Sequence, residues 1–584
     1  MRYTAIKNRT FVPVCIIAAI IASLAGSAAP VYAAAGSSGD KSHQVRLSGD
    51  GKASTAAAGD LPAASGKVTI VSVPGWSFLD WSEDVLSGLP ELSRLIRQGA
   101  IGAMNVRTPE KGLEDAYATL GAGAPAISGS GYLAHNARGE GGDRSGAELY
   151  RRLTGREPDE TGVVVPEIAA IRRRNENGPH RARPGLLGEL LRRHGIATAV
   201  YGNGDTPQER KRYAPLAVMD ESGRVPLGGV DGGMLVTDPA APTGTRADPS
   251  ALLHAWESIG GPSVVLLEWG DLLRFQTEAP LYGNDLARTQ KLAALRRLDA
   301  FVGGIANRLR PGETLWLVSP FVGVEATRSK LLLAPVVYNG PGVSGGLLTS
   351  PSTRREGVVT ATDFAPTVLA AFGIPAPYVA TGQAMEVTER TDALEALRTE
   401  LETILEVYRL RPRALIPFVS VEAAVMLTAL LVVWGKMFKA ARPVEALLLA
   451  LLAAPLVLLA VGWLHMTKPL PWKGQAALFV AGTASIACIC IFRTRALRAA
   501  VWLSAITAAA LLLDGVTGAE GMKRSVLGYD PMIGARYYGM GNEYMGVLVG
   551  AVTLVFAAAL ERRRGRLAPA TAAPAAPAPA APAP

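Results

Sequence analysis

The chain has 584 residues, 49% of them hydrophobic and 19% charged, with a mean hydropathy of +0.21. That is too apolar for one soluble enzyme or for a disordered chain, and at roughly 150 residues per domain the length suggests about four units. The net charge of +9 is no nucleic-acid signature: residues 1–400 carry 41 Lys+Arg against 41 Asp+Glu, and residues 401–584 carry 18 against 9. The excess lies with the apolar runs, where basic residues set membrane topology.

The first 33 residues place Arg2, Lys7 and Arg9 before an apolar run from Phe11 that ends in Pro30-Val31-Tyr32-Ala33, the pattern of a cleavable secretory signal, with an uncleaved anchor as the alternative. Residues 34–66, rich in Ala, Gly and Ser, read as a flexible linker. No cysteine lies between residues 34 and 400, so the polar region has neither a disulfide framework nor a thiolate metal site.

From Lys67 to about Met385, short β-branched runs alternate with amphipathic stretches, which predicts an α/β domain over 67–390. The clearest strands are Val68–Val73, Ala197–Tyr201, Ser263–Leu267, Thr314–Val318 and Pro335–Tyr338. Helical spacing occupies Leu186–Arg193, Leu286–Leu309 and Asp363–Phe372. Arg172, Arg173 and Arg174 open a segment to Pro184 that reads as a solvated loop. A charged connecting helix fills 391–412.

Residues 413–561 hold five apolar segments, at about 414–435, 444–465, 475–492, 496–513 and 544–560, each near the ~20 residues that span hydrocarbon. Basic residues follow every second boundary: Lys436, Lys439 and Arg442; Arg493, Arg495 and Arg498; Arg562, Arg563, Arg564 and Arg566. Those boundaries are expected in the cytoplasm, and the large polar domain outside the cell membrane. Residues 562–584 form this last basic stop and a tail of Ala and Pro that cannot bury a core.

Several stretches of the polar domain resemble the alkaline phosphatase superfamily, with its sulfatases, phosphodiesterases and phosphoglycerol transferases. Lys67–Gly75 looks like the opening strand and turn, Leu89–Met104 like the next helix and strand, and Thr314–Gly323 like the late ligand-bearing strand. Thr360–Leu369 with Gly373-Ile374-Pro375 looks like the closing helix and turn. The resemblance implies one or two divalent cations held by Asp and His beside a Ser, Thr or Cys nucleophile. The matching positions are degenerate. Val73-Pro74-Gly75 stands for the usual Val-Asp-Gly, Ser319-Pro320-Phe321 for Ser-Asp-His, and Asp271-Leu272-Leu273-Arg274-Phe275 keeps only the acid. Lys111-Gly112-Leu113-Glu114 offers no hydroxyl or thiol. Pro and Phe supply no lone pair to a hard cation, so no metal and no cofactor are expected.

His135 reads as a loop residue and His194 as a helix end before Gly195. Asp271 could pair with Glu268 for acid/base work or cap the next helix, and Asp363 is expected to cap its helix. No P-loop is present, since Gly202-Asn203-Gly204-Asp205 lacks the Lys and the spacing.

A second candidate is the loop before the last apolar segment, where Asp530, Arg536, Tyr537, Tyr538, Asn542 and Glu543 fall within fifteen positions. Arg beside aromatic residues suits an anionic headgroup, and an aromatic belt with a helix cap is the bland alternative. Together these features predict an α/β alkaline-phosphatase-like extracytoplasmic domain followed by an all-α transmembrane domain of about five helices. The function expected is a metal-free, catalytically degenerate module for ligand binding or assembly in the cell envelope. The alternative is an active phospho- or sulfo-ester hydrolase or transferase in which Thr108, Asp115 or Glu114 substitutes. The partners left open are a membrane lipid or an envelope polymer, without nucleic acid; the sequence names no protein partner.

Overall fold

The computed structural model describes residues 59–139, 146–467, 470–493, 495–529, 531–534 and 536–567. The predicted signal peptide, most of the linker and the Ala/Pro tail lie outside the described residues. Two compact units divide the rest. One gathers the chain up to Glu406 together with Asp530–Tyr537, and the other gathers Val407–Tyr529 with the chain from Tyr538.

The first unit is built on an eleven-stranded sheet. Its strands are β1 (Gly59–Asp60), β2 (Lys67–Ser72), β3 (Ala100–Asn105), β4 (Ala197–Asn203), β5 (Leu227–Gly229), β6 (Ser263–Trp269), β7 (Thr314–Val318), β8 (Leu333–Asn339), β9 (Gly346–Thr349), β10 (Val358–Thr360) and β11 (Glu386–Glu389). The order is β1-β11-β9-β3-β8-β7-β2-β6-β4-β5, with β10 beside β3. Strands β7, β2, β6, β4 and β5 are mutually parallel. Strand β8 is antiparallel to both β7 and β3, so β3 runs with β2, as do its parallel neighbours β9 and β10. The carboxyl ends of β2, β3, β4, β6, β7 and β10 therefore share one edge, where open α/β sheets place their sites.

Burial explains the strand sequences. Every residue of β2, β3, β6 and β7 is buried, as expected when helices cover both faces of a parallel sheet, and their sequences run apolar without strict alternation. The helix Asn284–Ala306 buries Ala294, Leu295, Leu298, Phe301, Val302 and Ile305 at helical spacing. It packs on Pro90–Gln98, where Asp299 Oδ1 accepts the Leu92 N–H at 2.6 Å.

Several expectations change. The stretch read as linker ends in β1, which pairs antiparallel with Glu386 and Val387. Arg172, Arg173 and Arg174 are exposed, as expected for solvated charges, but they lie on a helix, Ile168–Glu176, and not in a loop. Ile168, Ile171 and Asn175 face inward there, and Asn175 bonds both the N–H and the carbonyl of Ile127, which anchors one side of the helix. His135 belongs to a short strand, His135–Asn136, paired with Val163–Val164. His194 does end its helix, with Nδ1 2.9 Å from the Leu190 carbonyl and Gly195 at φ +73°.

The second unit contains helices long and apolar enough to cross a membrane at Ala441–His465, Trp472–Arg493, Ala496–Val516 and Asn542–Arg563, plus the apolar part of Ala393–Trp434. These match the five predicted segments. The predicted connecting helix and first span are one 42-residue helix, with Pro412 and Pro417 inside it. Asp514, at the end of the fourth span, is buried yet satisfied: Trp463 Nε1 and the N–H groups of Gly521 and Met522 donate to it at 2.5 to 2.9 Å. A carboxylate at that depth is tolerated when its oxygens are paired in this way.

Candidate functional site

At the carboxyl edge of β2 and β7 the two strand exits are joined by their backbones. Val73 N–H donates to the Val318 carbonyl at 2.9 Å, and Gly75 N–H to the Phe321 carbonyl at 2.7 Å. Gly75 and Val322 form a further parallel bridge. Ser319 Oγ turns inward to the carbonyls of Trp76 and Phe321 at 2.8 and 3.0 Å. The side-chain amide of Gln276, from the helix Asp271–Glu278, fills the space that a Cβ on Gly75 or on Gly323 would occupy. Gly75 sits at φ +96°, a conformation that L side chains rarely adopt.

This arrangement does not fit a catalytic metal pair. Pro74, Pro320 and Phe321 carry no donor, and the exits bond each other. Among the described residues no three His, Cys, Asp or Glu side chains are grouped so as to hold a metal ion. Gln276 could have been noticed in the sequence only as an amide five residues after Asp271, with nothing to say where it pointed.

One strand over, a polar cluster lies under the same edge. Glu268 near the end of β6 stands in register with Ser72 of β2 and Gly202 of β4, so the Glu268 and Ser72 side chains share a face. Ser72 Oγ and Tyr117 Oη are hydrogen-bonded at 2.7 Å. Glu268 is 1% exposed, and among the described residues neither of its oxygens has a hydrogen-bond partner of ordinary geometry. Burial pushes its carboxyl up to about 8, against the opposing pull of Tyr117 and Arg274. The same burial raises the Tyr117 phenol well above its ordinary value.

Arg274, also 1% exposed, faces Asp271, Glu268 and Asp205, and burial lowers its pKa against their pull. It donates to the carbonyls of Asp205 and Asn203 at 3.0 and 2.9 Å. Asp205 is in turn paired with Arg212 at 2.7 Å.

Asp271 belongs to this framework. Its Oδ1 accepts the Ala247 N–H at 2.8 Å and lies 3.4 Å from Arg274 Nη1, while Oδ2 accepts from Arg297 at 3.2 Å. It is the first residue of its helix and not the cap, which is Gly270. Asp271 and Glu268 both face Arg274, but they do not form a bonded carboxylate pair. Asp363 stands at the N-cap position of the helix Phe364–Ala371 but makes no side-chain cap bond to it; instead its Oδ2 accepts the Thr360 N–H at 2.9 Å in a reciprocal box that braces the preceding turn, and Ser350, Ser352 and Gln383 complete its bonds.

The candidates around residue 536 fall into two settings. Asp530 lies outside the described residues. Tyr537 is buried in the α/β unit, where burial raises its phenol, Asp363 adds to the rise and Arg107 opposes it. In the same segment, the Pro531 carbonyl accepts from Asn105 Nδ2 at 2.6 Å. Arg536 is exposed at φ +53°. In the helical unit Tyr538 is 41% exposed, and Asn542 and Glu543 begin the last long helix. Glu543 pairs with Arg411 at 2.5 Å, and Arg411 also donates to the Gly528 carbonyl at 2.6 Å and lies over the Tyr529 ring. Nothing in the sequence tied Glu543 to Arg411, which stands 132 positions earlier.

No protein-family model matches the chain, and no curated protein matches it in sequence. Solved structures do match the α/β unit. The lipoteichoic acid synthase LtaP of Listeria monocytogenes is 11% identical, with 55% of this chain and 74% of that chain covered and a TM-score of 0.33. A protein in the alkaline phosphatase superfamily from Vibrio parahaemolyticus is 11% identical over 57% and 72%, also at 0.33. The phosphonate monoester hydrolase SpPMH of Silicibacter pomeroyi is 11% identical over 55% and 75%, at 0.30. The likeness is one of fold, and at such identities and scores it assigns no activity and no residue role.

Proposed function

We propose that the chain is a membrane-anchored cell-envelope protein whose alkaline-phosphatase-like domain binds or assembles and does not carry out metal-dependent ester chemistry. The observation that carries this reading is the closure of the β2 and β7 exits by the Gly75–Phe321 bond, with Gln276 beneath. A divalent ion needs several oxygen or nitrogen ligands close by, and donor-free side chains cannot be replaced by backbone groups already bonded to one another. The ligands in view are a membrane lipid or an envelope polymer.

The basic clusters after the first, third and fifth spans support an extracytoplasmic position for the large domain. The leader-like residues 1–33 support export by the same route.

A second reading, an active phospho- or sulfo-ester hydrolase or transferase, draws on different atoms. Among the described residues, Thr108 Oγ1, one oxygen of Asp115 and both oxygens of Glu268 are buried without a hydrogen-bond partner of ordinary geometry. Unpaired buried polar groups are costly and are often kept for function. Metal analysis of the purified full chain, together with a hydrolysis screen on phosphate and sulfate mono- and diesters, separates the two readings. Bound zinc or manganese with chelator-sensitive turnover supports the second, and their absence supports the first.

A further inference from the structure

Around the carboxyl end of β3 the surface of the α/β unit is basic. Strands β3 and β8 are antiparallel with Asn105 opposite Leu333, so the chain leaving through Val106 and Arg107 runs beside the chain entering through Lys330 and Leu331. Leu331 and Val106 pack against one small cluster. Arg107, Lys111, Arg328 and Lys330 are all exposed. The side chains of Lys111, Arg328 and Lys330 make no ion pair or hydrogen bond among the described residues. Lys111 and Lys330 also hold left-handed backbone, at φ +61° and +66°, where Gly or Asn costs less.

The acids nearby leave that charge in place. Asp80 and Asp363 are buried and bonded. The exposed Glu110 is held by Arg174 at 2.7 Å, and Glu325 by Lys291 at 2.8 Å. Glu114 is half-buried, with its carboxylate lying over Gly112. The exposed surface of this rim therefore carries more basic than acidic groups.

Chain length sets where the rim can be. Within the α/β unit, the Pro531 carbonyl accepts from Asn105 Nδ2 at 2.6 Å, and a Cβ on Gly534 would lie 3.3 Å from Arg107 Cδ. Tyr537, buried in the same unit, stands five residues before Asn542, where the last long apolar helix starts. Five residues span at most ~18 Å, whatever the arrangement of the two units. With that helix in a bilayer, the end of β3 stays close to the headgroup layer.

Charge and reach together select the partner. Anionic headgroups attract each Lys or Arg near the surface, and the attraction fades within a screening length of about 10 Å at 0.1 M salt. We propose that the rim of Lys111, Arg328 and Lys330 docks the α/β domain on an anionic lipid surface. This narrows the choice between lipid and polymer left open above. It rests on the helical unit spanning a bilayer and stands whether or not the α/β domain holds metals, so metal analysis and the test below can fail separately.

The reporter is a fluorophore on Thr327→Cys, an exposed position beside Arg328, in the full chain carrying Cys15→Ser, Cys488→Ser and Cys490→Ser. The protein is reconstituted into vesicles of phosphatidylcholine alone or with phosphatidylglycerol, each with the same mole fraction of a lipid bearing a nitroxide on its headgroup. Stronger quenching is expected with phosphatidylglycerol, and about 1 M salt should abolish the difference. Each of Lys111→Gln, Arg328→Gln and Lys330→Gln is expected to lower the docking equilibrium about fivefold. The triple variant should be quenched alike in both vesicles. Equal quenching of the unsubstituted rim in the two vesicles overturns the proposal without any rim variant, as does a phosphatidylglycerol response that survives in a folded triple variant. Soluble polyphosphate that binds the intact rim and not the triple variant, with no effect of phosphatidylglycerol on quenching, also overturns it. That result would give the rim to a polymer.

Discussion

The backbone N–H of Gly75 donates to the carbonyl of Phe321 at 2.7 Å, joining the exits of two neighbouring parallel strands. Pro74, Pro320 and Phe321 carry no metal donor, the chain closes on itself, and Gln276 fills what remains. Together these residues form one packed arrangement.

That packing makes Gly75 sensitive. Gly75→Ala puts an L residue at φ +96° and drives its Cβ into the Gln276 amide. A loss of about 2 kcal/mol or more is expected, combining left-handed backbone strain with the displaced side chain. It should appear as a lower unfolding midpoint of the α/β domain in thermal melts. Gly232→Ala, where a Cβ meets nothing within 4 Å and φ is not positive, should leave the midpoint nearly unchanged.

Glu268 makes stability depend on pH. Its folded carboxyl sits near 8, against an ordinary 4.5. Below pH 4.5 both folded and unfolded chains hold the proton. Between 4.5 and 8 the unfolded chain releases it while the folded chain keeps it, so stability falls as pH rises, by up to ~1.4 kcal/mol per pH unit. Glu268→Gln should flatten this slope, so that the variant gains on wild type at pH 8 relative to pH 5. Denaturation midpoints at the two values check it, and parallel slopes for the two proteins would count against it.

Lys291 is placed to neutralise Asp80. The pair is 2.6 Å apart, and Asp80 is 3% exposed. Lys291→Met leaves that carboxylate buried with, among the described residues, only the Ser77 N–H and hydroxyl donating to it. A loss of roughly 3–5 kcal/mol is expected, as for other broken buried pairs. The double variant Lys291→Met, Asp80→Asn should recover much of it, measured as soluble abundance and melting midpoint.

Much of the framework was legible in the sequence because burial on both faces of a parallel sheet leaves an apolar run that is hard to mistake. Thr314–Val318 and Leu186–Arg193 were read at their observed bounds. The strand read as Ser263–Leu267 extends to Trp269 and so takes in Glu268. A carboxylate at the end of an apolar run looks like the start of a loop, and only the tertiary packing of Tyr117 and Arg274 reveals that it stays inside. Arg172–Arg174 misled for a related reason: charge reports exposure, and an exposed helix face carries as much charge as a loop. The closure over Gly75 was half legible. That Pro74, Pro320 and Phe321 carry no donor was plain, but Gln276 comes from an element about two hundred positions away from Gly75.

Topology provides a separate test. Reporters fused after Lys439 and after Arg498 should behave as cytoplasmic, and external protease on spheroplasts should reach the exposed residues around His180. An exported signal at either fusion would contradict the assignment of sides from the basic clusters.

The central claim is that the closed edge between Gly75 and Phe321 carries no metal-dependent ester chemistry. Its most direct test is elemental analysis of the full-length protein, purified in detergent after exposure to zinc, manganese and magnesium, with the same sample screened on phosphate and sulfate esters. The account predicts less than one equivalent of any divalent metal and no turnover that a chelator abolishes. One or two tightly held equivalents, with hydrolysis lost on chelation and restored by the metal, would contradict it.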